Sequence, residues 1–479
     1  MRARWLTPLP LVLLVYACED SSTPPEGIAP TFDAGQGGFD AGPLPDGAVP
    51  DAFAPDATDG PAPPKGISVT VRRGPSPQAD VRVLLHDAAG AITAELKTDA
   101  AGKVTAATAP SMVTILSEPG ALLRKGPPAG ALTYLGVADG DQLVVQVPEL
   151  LTEPLPVGTY SVTTQGNFEG GVSYELTARG RCSAYGNDAT NPFSIALYGH
   201  CIGQTVAVLA TAYGEGGDIV AFAFKKGNAP PALNQTANVA LPAWAAPGSL
   251  LLTASNVPAQ LAAAVEDVTS IADGAPFYMG TGSGSLDDGG VTVPVPTGFA
   301  EAYQAAVVAR TTAIGTRGMT GFVRRAAPAA SIAFDFAQAL PLVTGATVTP
   351  GSPGRPDVAW TTAAPIASDG GLVTLGWTVT DGETTRSRAW RFVVPPGTSS
   401  FKVPALPPED AGLPAFTLGA DAAVASVEQL ESELLPSYAA LKALPLPTDA
   451  DLEGVHVYAP LPANGNLRVT SWSPNLSPR

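Results

Sequence analysis

Positive charge, histidine and cysteine are all scarce in this chain. Its 479 residues carry 26 Lys and Arg against 43 Asp and Glu, a formal charge of −17, with only three His and three Cys. Clamping a phosphate backbone needs clustered cations, so nucleic acid is excluded as a partner, and so is electrostatic docking on anionic lipid. His86, His200 and His456 each stand without a second ligand nearby, and no H-E-x-x-H run occurs. Each reads as a structural residue, and no metal or other cofactor is expected. A G-x-S-x-G nucleophile elbow is also missing. Charged residues make up only 14% of the chain, and no two carboxylates stand out for glycoside chemistry. The chain is therefore read as non-catalytic. The apolar stretch from Leu9 to Ala17 falls short of the roughly 20 residues that a membrane-spanning helix needs.

That short stretch nevertheless has the layout of an export signal. Arg2 and Arg4 precede it, and a small residue, Ala17, ends it. Residues 1–17 are assigned to the signal peptide. Val15-Tyr16-Ala17-Cys18 resembles the bacterial lipobox, departing from it at Tyr16, where a small residue is usual. The resemblance implies that cleavage leaves Cys18 as an acylated amino terminus. The membrane is then a partner through the lipid, in the cell envelope and by expectation at the outer membrane. An ordinary secretory signal with a chance cysteine is the alternative. Residues 18–65 read as a disordered acidic linker. Residues 19–65 hold ten Pro, seven Gly and nine acids, with no base before Lys65. Such a segment buries too little apolar surface to offset its ordering entropy, and as a free coil it reaches about 40 Å. No calcium loop of the D-x-[DN]-x-[DN]-G kind is present in it.

Beyond the linker, 51 Gly and 49 Pro in the whole chain, with 45% hydrophobic residues, suit short strands joined by tight turns. The fold class expected is mainly β: tandem β-sandwiches of immunoglobulin- or prealbumin-like kind after the tether, with few short helices. Cys182 and Cys201 are an even pair, as expected of one disulfide in an oxidising compartment. Such a bridge would stabilise by roughly 3 kcal/mol. Two buried thiols or a metal site are the alternatives.

Residues 66–150 form the first expected unit. Strands are predicted at Ile67 to Val71, Val81 to Leu85, Ile92 to Lys97, Val104 to Ala106, Val113 to Leu116 and Gln142 to Val147, with turns at Ala88-Ala89-Gly90 and Asp99 to Gly102. The run Ala79-Asp80-Val81-Arg82-Val83, then Gly90, then Thr98-Asp99-Ala100-Ala101-Gly102-Lys103-Val104 resembles the carboxypeptidase regulatory-like domain, a prealbumin-like β-sandwich. The resemblance covers about 80 residues and implies an accessory, non-catalytic module.

Residues 151–255 predict a second β unit holding both cysteines. A simple hairpin of 172–182 with 193–201 would leave the two roughly 27 Å apart at strand rise. A disulfide needs Cα atoms within about 7 Å. These strands are therefore expected not to be direct neighbours, with residues 183–192 crossing between sheets. Residues 256–479 predict a β-rich region. It contains short helices at 258–266 and from Ala300 to Arg310, a three-strand meander over 358–394 that resembles an immunoglobulin- or fibronectin-like sandwich, and a helix over 422–435. In that last segment Val424, Val427, Leu430 and Leu434 fall at helical spacing between Asp421 and Pro436.

Trp360 and Trp472 are the candidates for stacking on sugar rings. Trp377 and Trp390 lie in phase with apolar neighbours, which marks them as core. The leading reading is a non-catalytic envelope lipoprotein acting by binding or display. Carbohydrate or another envelope protein is the candidate partner. A carbohydrate-binding or adhesive surface protein is the second reading, and a hydrolase with an unrecognised site the third. An exposed aromatic strip would favour the sugar binder.

Overall fold

The computed structural model describes residues 66–474 apart from connecting segments, the longer of which are 118–129, 148–155, 199–204, 408–422 and 448–464. Residues 1–65, Cys182, Cys201, His200 and His456 lie outside the described residues, so the anchor, the tether and the disulfide fall outside them too. The chain is mainly β, as composition predicts: among the described residues there is one α-helix, Tyr438–Lys442.

Four sandwiches can be traced from their cores. In sandwich I, the sheet containing Ile67–Arg73, Lys103–Ala106 and Gln142–Gln146 faces the strands Arg82–His86, Met112–Ser117 and Gly130–Leu135. Alternate residues Val69, Val71, Val83, Leu85, Val113, Leu143 and Val145 fill the space between. The predicted turns are present. Gly90 and Gly102 adopt φ of 74° and 69°, and the Asp99 carboxylate accepts from the N–H groups of Ala101 and Lys103, both at 2.9 Å.

Sandwich II pairs Pro156–Thr163 with Phe193–Tyr198 and Thr236–Ala240 in one sheet. Its second sheet joins Ser173–Arg179 to Ser183–Gly186 and Val206–Tyr213. Ser173–Arg179 and Phe193–Tyr198 are thus in different sheets, and the chain crosses between them after Gly186. In sandwich III, Gly248–Ser255, Val291–Val295 and Ser331–Asp335 face Leu261–Ala272, Ala275–Gly280, Ala302–Thr311 and Thr316–Ala326. In sandwich IV, Val343–Thr349, Asp357–Thr362 and Ser400–Lys402 face Gly370–Asp381, Thr384–Val394 and Ala423–Ser432.

One sheet of twelve strands runs through three of the four. It starts at the edge strand Ala275–Gly280 of sandwich III and ends at the edge strand Ile92–Lys97 of sandwich I. Two joints make it continuous. The C-terminal strand Asn466–Pro474 inserts antiparallel between Thr316–Ala326 and Ala423–Ser432. Gly130–Leu135 pairs parallel with Thr384–Val394. As a result, strands of sandwich I are covered on both faces: Val83 and Leu85 point into its own core, while Leu84 points into the core of sandwich IV.

Three helix expectations are corrected, each for a reason visible in the pairing. Residues 422–435 hold the strand Ala423–Ser432. A bulge at Ala425 adds one residue between Val424 and Ser426, so Val424 and Val427 reach the same core and mimic helical spacing. Leu430 then falls on the opposite face. The 258–266 segment opens the strand Leu261–Ala272, in which Leu261, Ala263 and Val265 alternate inward among alanines. The Ala300 to Arg310 segment forms Ala302–Thr311, which is buried on both faces and so shows no period of two. The meander over 358–394 is also corrected. Gly370–Asp381 and Thr384–Val394 form a hairpin, but Asp357–Thr362 lies in the facing sheet. Gly370 starts its strand at φ 148°, where a Cβ would lie 2.7 Å from Leu441 and 2.9 Å from the Val394 carbonyl oxygen.

Candidate binding face

Trp360 and Trp472 do not form a surface strip. They are 5% and 7% exposed and share one core with Trp377, Trp390 and Phe392. Trp360 packs edge-on against Phe401 at 6.2 Å, and Trp472 sits opposite Val427 and Gly318 in the long sheet. Sandwich IV covers both, which removes them as sugar-stacking residues. The core reading of Trp377 and Trp390 agrees with their burial.

His86 is buried at the junction of sandwiches I and IV. Its Nε2 lies 2.9 Å from Thr114 Oγ1, which lies 2.8 Å from Thr133 Oγ1, and Trp390 Nε1–H donates to that same Thr133 oxygen at 2.8 Å. A consistent polarity has Thr133 donating to Thr114 and Thr114 to a neutral His86. Burial pushes the imidazole down to about 4, and the nearby Arg355 guanidinium works in the same direction. The hydrogen-bonded chain spans four adjacent strands and ties sandwich I to sandwich IV. On the same sheet, burial raises the Glu428 carboxyl to about 7 against the pull of Arg391.

A second buried polar group ties the C-terminal segment to sandwich I. Ser437 caps the helix Tyr438–Lys442, accepting from Ala440 N–H. Lys442 Nζ donates to Gly136 O at 3.1 Å and pairs with Asp141, which also accepts from Ala138 N–H at 2.7 Å. Tyr438 O–H donates to Leu135 O and Val393 O, and its ring lies 4.6 Å beneath the ammonium.

The half-exposed aromatic cluster is elsewhere, at one end of sandwich II. The loop after Pro156–Thr163 carries Phe168. Trp244 sits between Thr236–Ala240 and Gly248–Ser255, where paired hydrogen bonds of Ala245 with Phe222 hold the backbone. Trp244 lies 6.4 Å from Phe168, edge-on, and 5.6 Å from Tyr174. Each ring is positioned by polar contacts: Trp244 Nε1–H donates to Gly166 O at 2.9 Å, and Tyr174 O–H donates to Phe168 O and Gly171 O. Thr164 and Asn191 brace the loop beneath, through Asn191 Nδ2–H to Thr164 O and Oγ1. Val172 is 59% exposed beside them, and Gln165, Asn167 and Glu169 are exposed around the loop. Sequence reading missed this cluster. Its signal was an aromatic residue isolated among Gly, Asn and Gln, and a tryptophan flanked by Pro242 and Pro247 rather than in phase with a strand.

Among the described residues no group of three His, Cys, Asp or Glu side chains is placed to hold a metal, and no helix is long and apolar enough to cross a membrane. No family model matches the chain, and no curated protein matches it. Among solved structures it is similar to a crystal structure of the chicken CNTN1 FN1-FN3 domains, at 13% identity and a TM-score of 0.12. That match covers 55% of this chain and 83% of the other.

Proposed function

We propose that this protein is an envelope lipoprotein that presents a β-sandwich platform at a membrane surface and works by binding rather than catalysis. Cys18 is the acylated residue in this reading, and residues 19–65 are the spacer. Residues 66–150 supply an accessory module of the carboxypeptidase regulatory-like kind. The observation that carries the reading is the pairing of a braced, half-exposed aromatic cluster on sandwich II with a sheet that welds the other three sandwiches together. Ala207 and Leu209 of sandwich II pack into the core of sandwich III, which ties the exposed face to the welded sheet at the end of a spacer and suits display. A pair of acyl chains or more gives stable anchorage, whereas one gives only marginal binding.

The test is fractionation. Cys18→Ala is expected to shift the protein from the membrane pellet to the soluble fraction after a high-pH wash. Retention of the variant in the washed pellet would count against the anchor.

A further inference from the structure

We propose that the face built by Phe168 and Trp244 binds neutral polysaccharide, a proposal that rests on the binding reading above and names its ligand class. The rings supply flat apolar surface, of the kind that packs against the C–H faces of pyranose rings. The indole N–H is already used by Gly166 O, so what Trp244 offers a ligand is its ring. Around the rings lie the exposed side chains of Gln165, Asn167 and Glu169. Val172 N–H donates to Tyr213 O at 2.8 Å, which brings the acidic turn of Glu215 and Asp218 beside the face. Amides both donate and accept, and carboxylates accept, so this rim matches a hydroxyl-rich ligand.

Charge excludes the main competitors. No Lys or Arg occurs in residues 156–178 or 227–309, the segments that supply the rings and the loop. Among the described residues of these segments and of the turn at Glu215 and Asp218, a phosphate, a sulfated glycan or an acidic peptide would meet carboxylates and no Lys or Arg. The loop is also pre-set: Thr164, Asn191 and the Trp244 and Tyr174 hydrogen bonds fix it before any ligand arrives, which lowers the ordering cost of binding.

The experiment uses the whole mature chain with Cys18→Ala, so that it is soluble without lipid. Native gels are cast with xylan, β-glucan or dextran, and co-sedimentation is run with cellulose and chitin. Retardation or sedimentation with at least one of these is expected. Trp244→Ala is expected to weaken it about tenfold or more, as loss of a central aromatic anchor does. Because that variant removes packing from the end of sandwich II, Asn167→Ala and Phe168→Ser are run beside it, with thermal melts to show that each is folded. Absence of retention by all five polysaccharides overturns the proposal. So does retention that folded Trp244→Ala and Phe168→Ser leave unchanged. Preferential binding of tetramethylammonium at this face also overturns it, since the rings would then hold a cation. Cross-linking of an envelope protein through Asn167 without polysaccharide retention overturns the ligand class and leaves the binding reading standing.

Discussion

Replacing Lys442 by Met keeps the length and volume of the side chain and removes its ammonium. In the native protein that ammonium is shared between Asp141 and the Gly136 carbonyl, above the Tyr438 ring, with the two charged side chains 3% and 5% exposed. The variant leaves the Asp141 carboxylate buried with one described donor, Ala138 N–H. Stranding one member of a buried pair costs about 3–5 kcal/mol. Removing both charges costs much less, so Lys442→Met with Asp141→Asn is expected to return to within about 1 kcal/mol of the parent, the asparagine oxygen still accepting from Ala138. Urea unfolding of the soluble mature chain, followed by tryptophan fluorescence, reads both numbers, with the slope on urea expected to hold constant. A single variant within about 0.5 kcal/mol of the parent would refute the reasoning, because Lys442 would then be solvated and the C-terminal segment undocked.

Three other expectations are independent of that clasp. His86 is held neutral with a value of about 4 against 6.5 for a free imidazole, so the unfolded chain takes up its proton first. Stability is therefore full above pH 6.5, falls as pH drops, and has lost about 3 kcal/mol by pH 4. His86→Gln, which can still reach Thr114, is expected to flatten that limb relative to the parent, and an unchanged slope in acid melts would sink the idea. Glu428 works in the opposite sense, since its raised value favours the fold below pH 4.5 and withdraws that support as pH rises through 7. For the cysteines, a non-reducing peptide map is expected to join the Cys182 peptide to the Cys201 peptide, and alkylation of both without reductant would overturn the bridge.

The β class and much of sandwich I were legible because their signals are local. Ile67 to Val71 and Gln142 to Val147 alternate with a period of two, and Asp99 to Gly102 is a turn by its own chemistry. Ser173–Arg179 and Phe193–Tyr198 lie in different sheets, the arrangement expected on the premise of a Cys182–Cys201 bridge, a premise that falls outside the described residues. Signals failed where a strand is buried on both faces or carries a bulge. Ala302–Thr311 has no exposed face to mark its period, and the extra residue before Val427 in Ala423–Ser432 imitates a helix. The twelve-stranded sheet was illegible for a different reason: it depends on pairings such as Val427 with Trp472 and Leu132 with Arg391, which no local pattern encodes. The tryptophans show the same limit. Sequence can say that Trp390 is in phase with Phe392, but only the packing of sandwich IV decides that Trp360 and Trp472 are covered and that Trp244 is not fully buried.

The central claim is the anchored platform, and the most direct measurement is the intact mass and amino-terminal peptide of the protein extracted from membranes. The account predicts a chain that begins at Cys18 and carries acyl chains on that residue. A chain that begins at any other residue, or an unmodified Cys18, would contradict it.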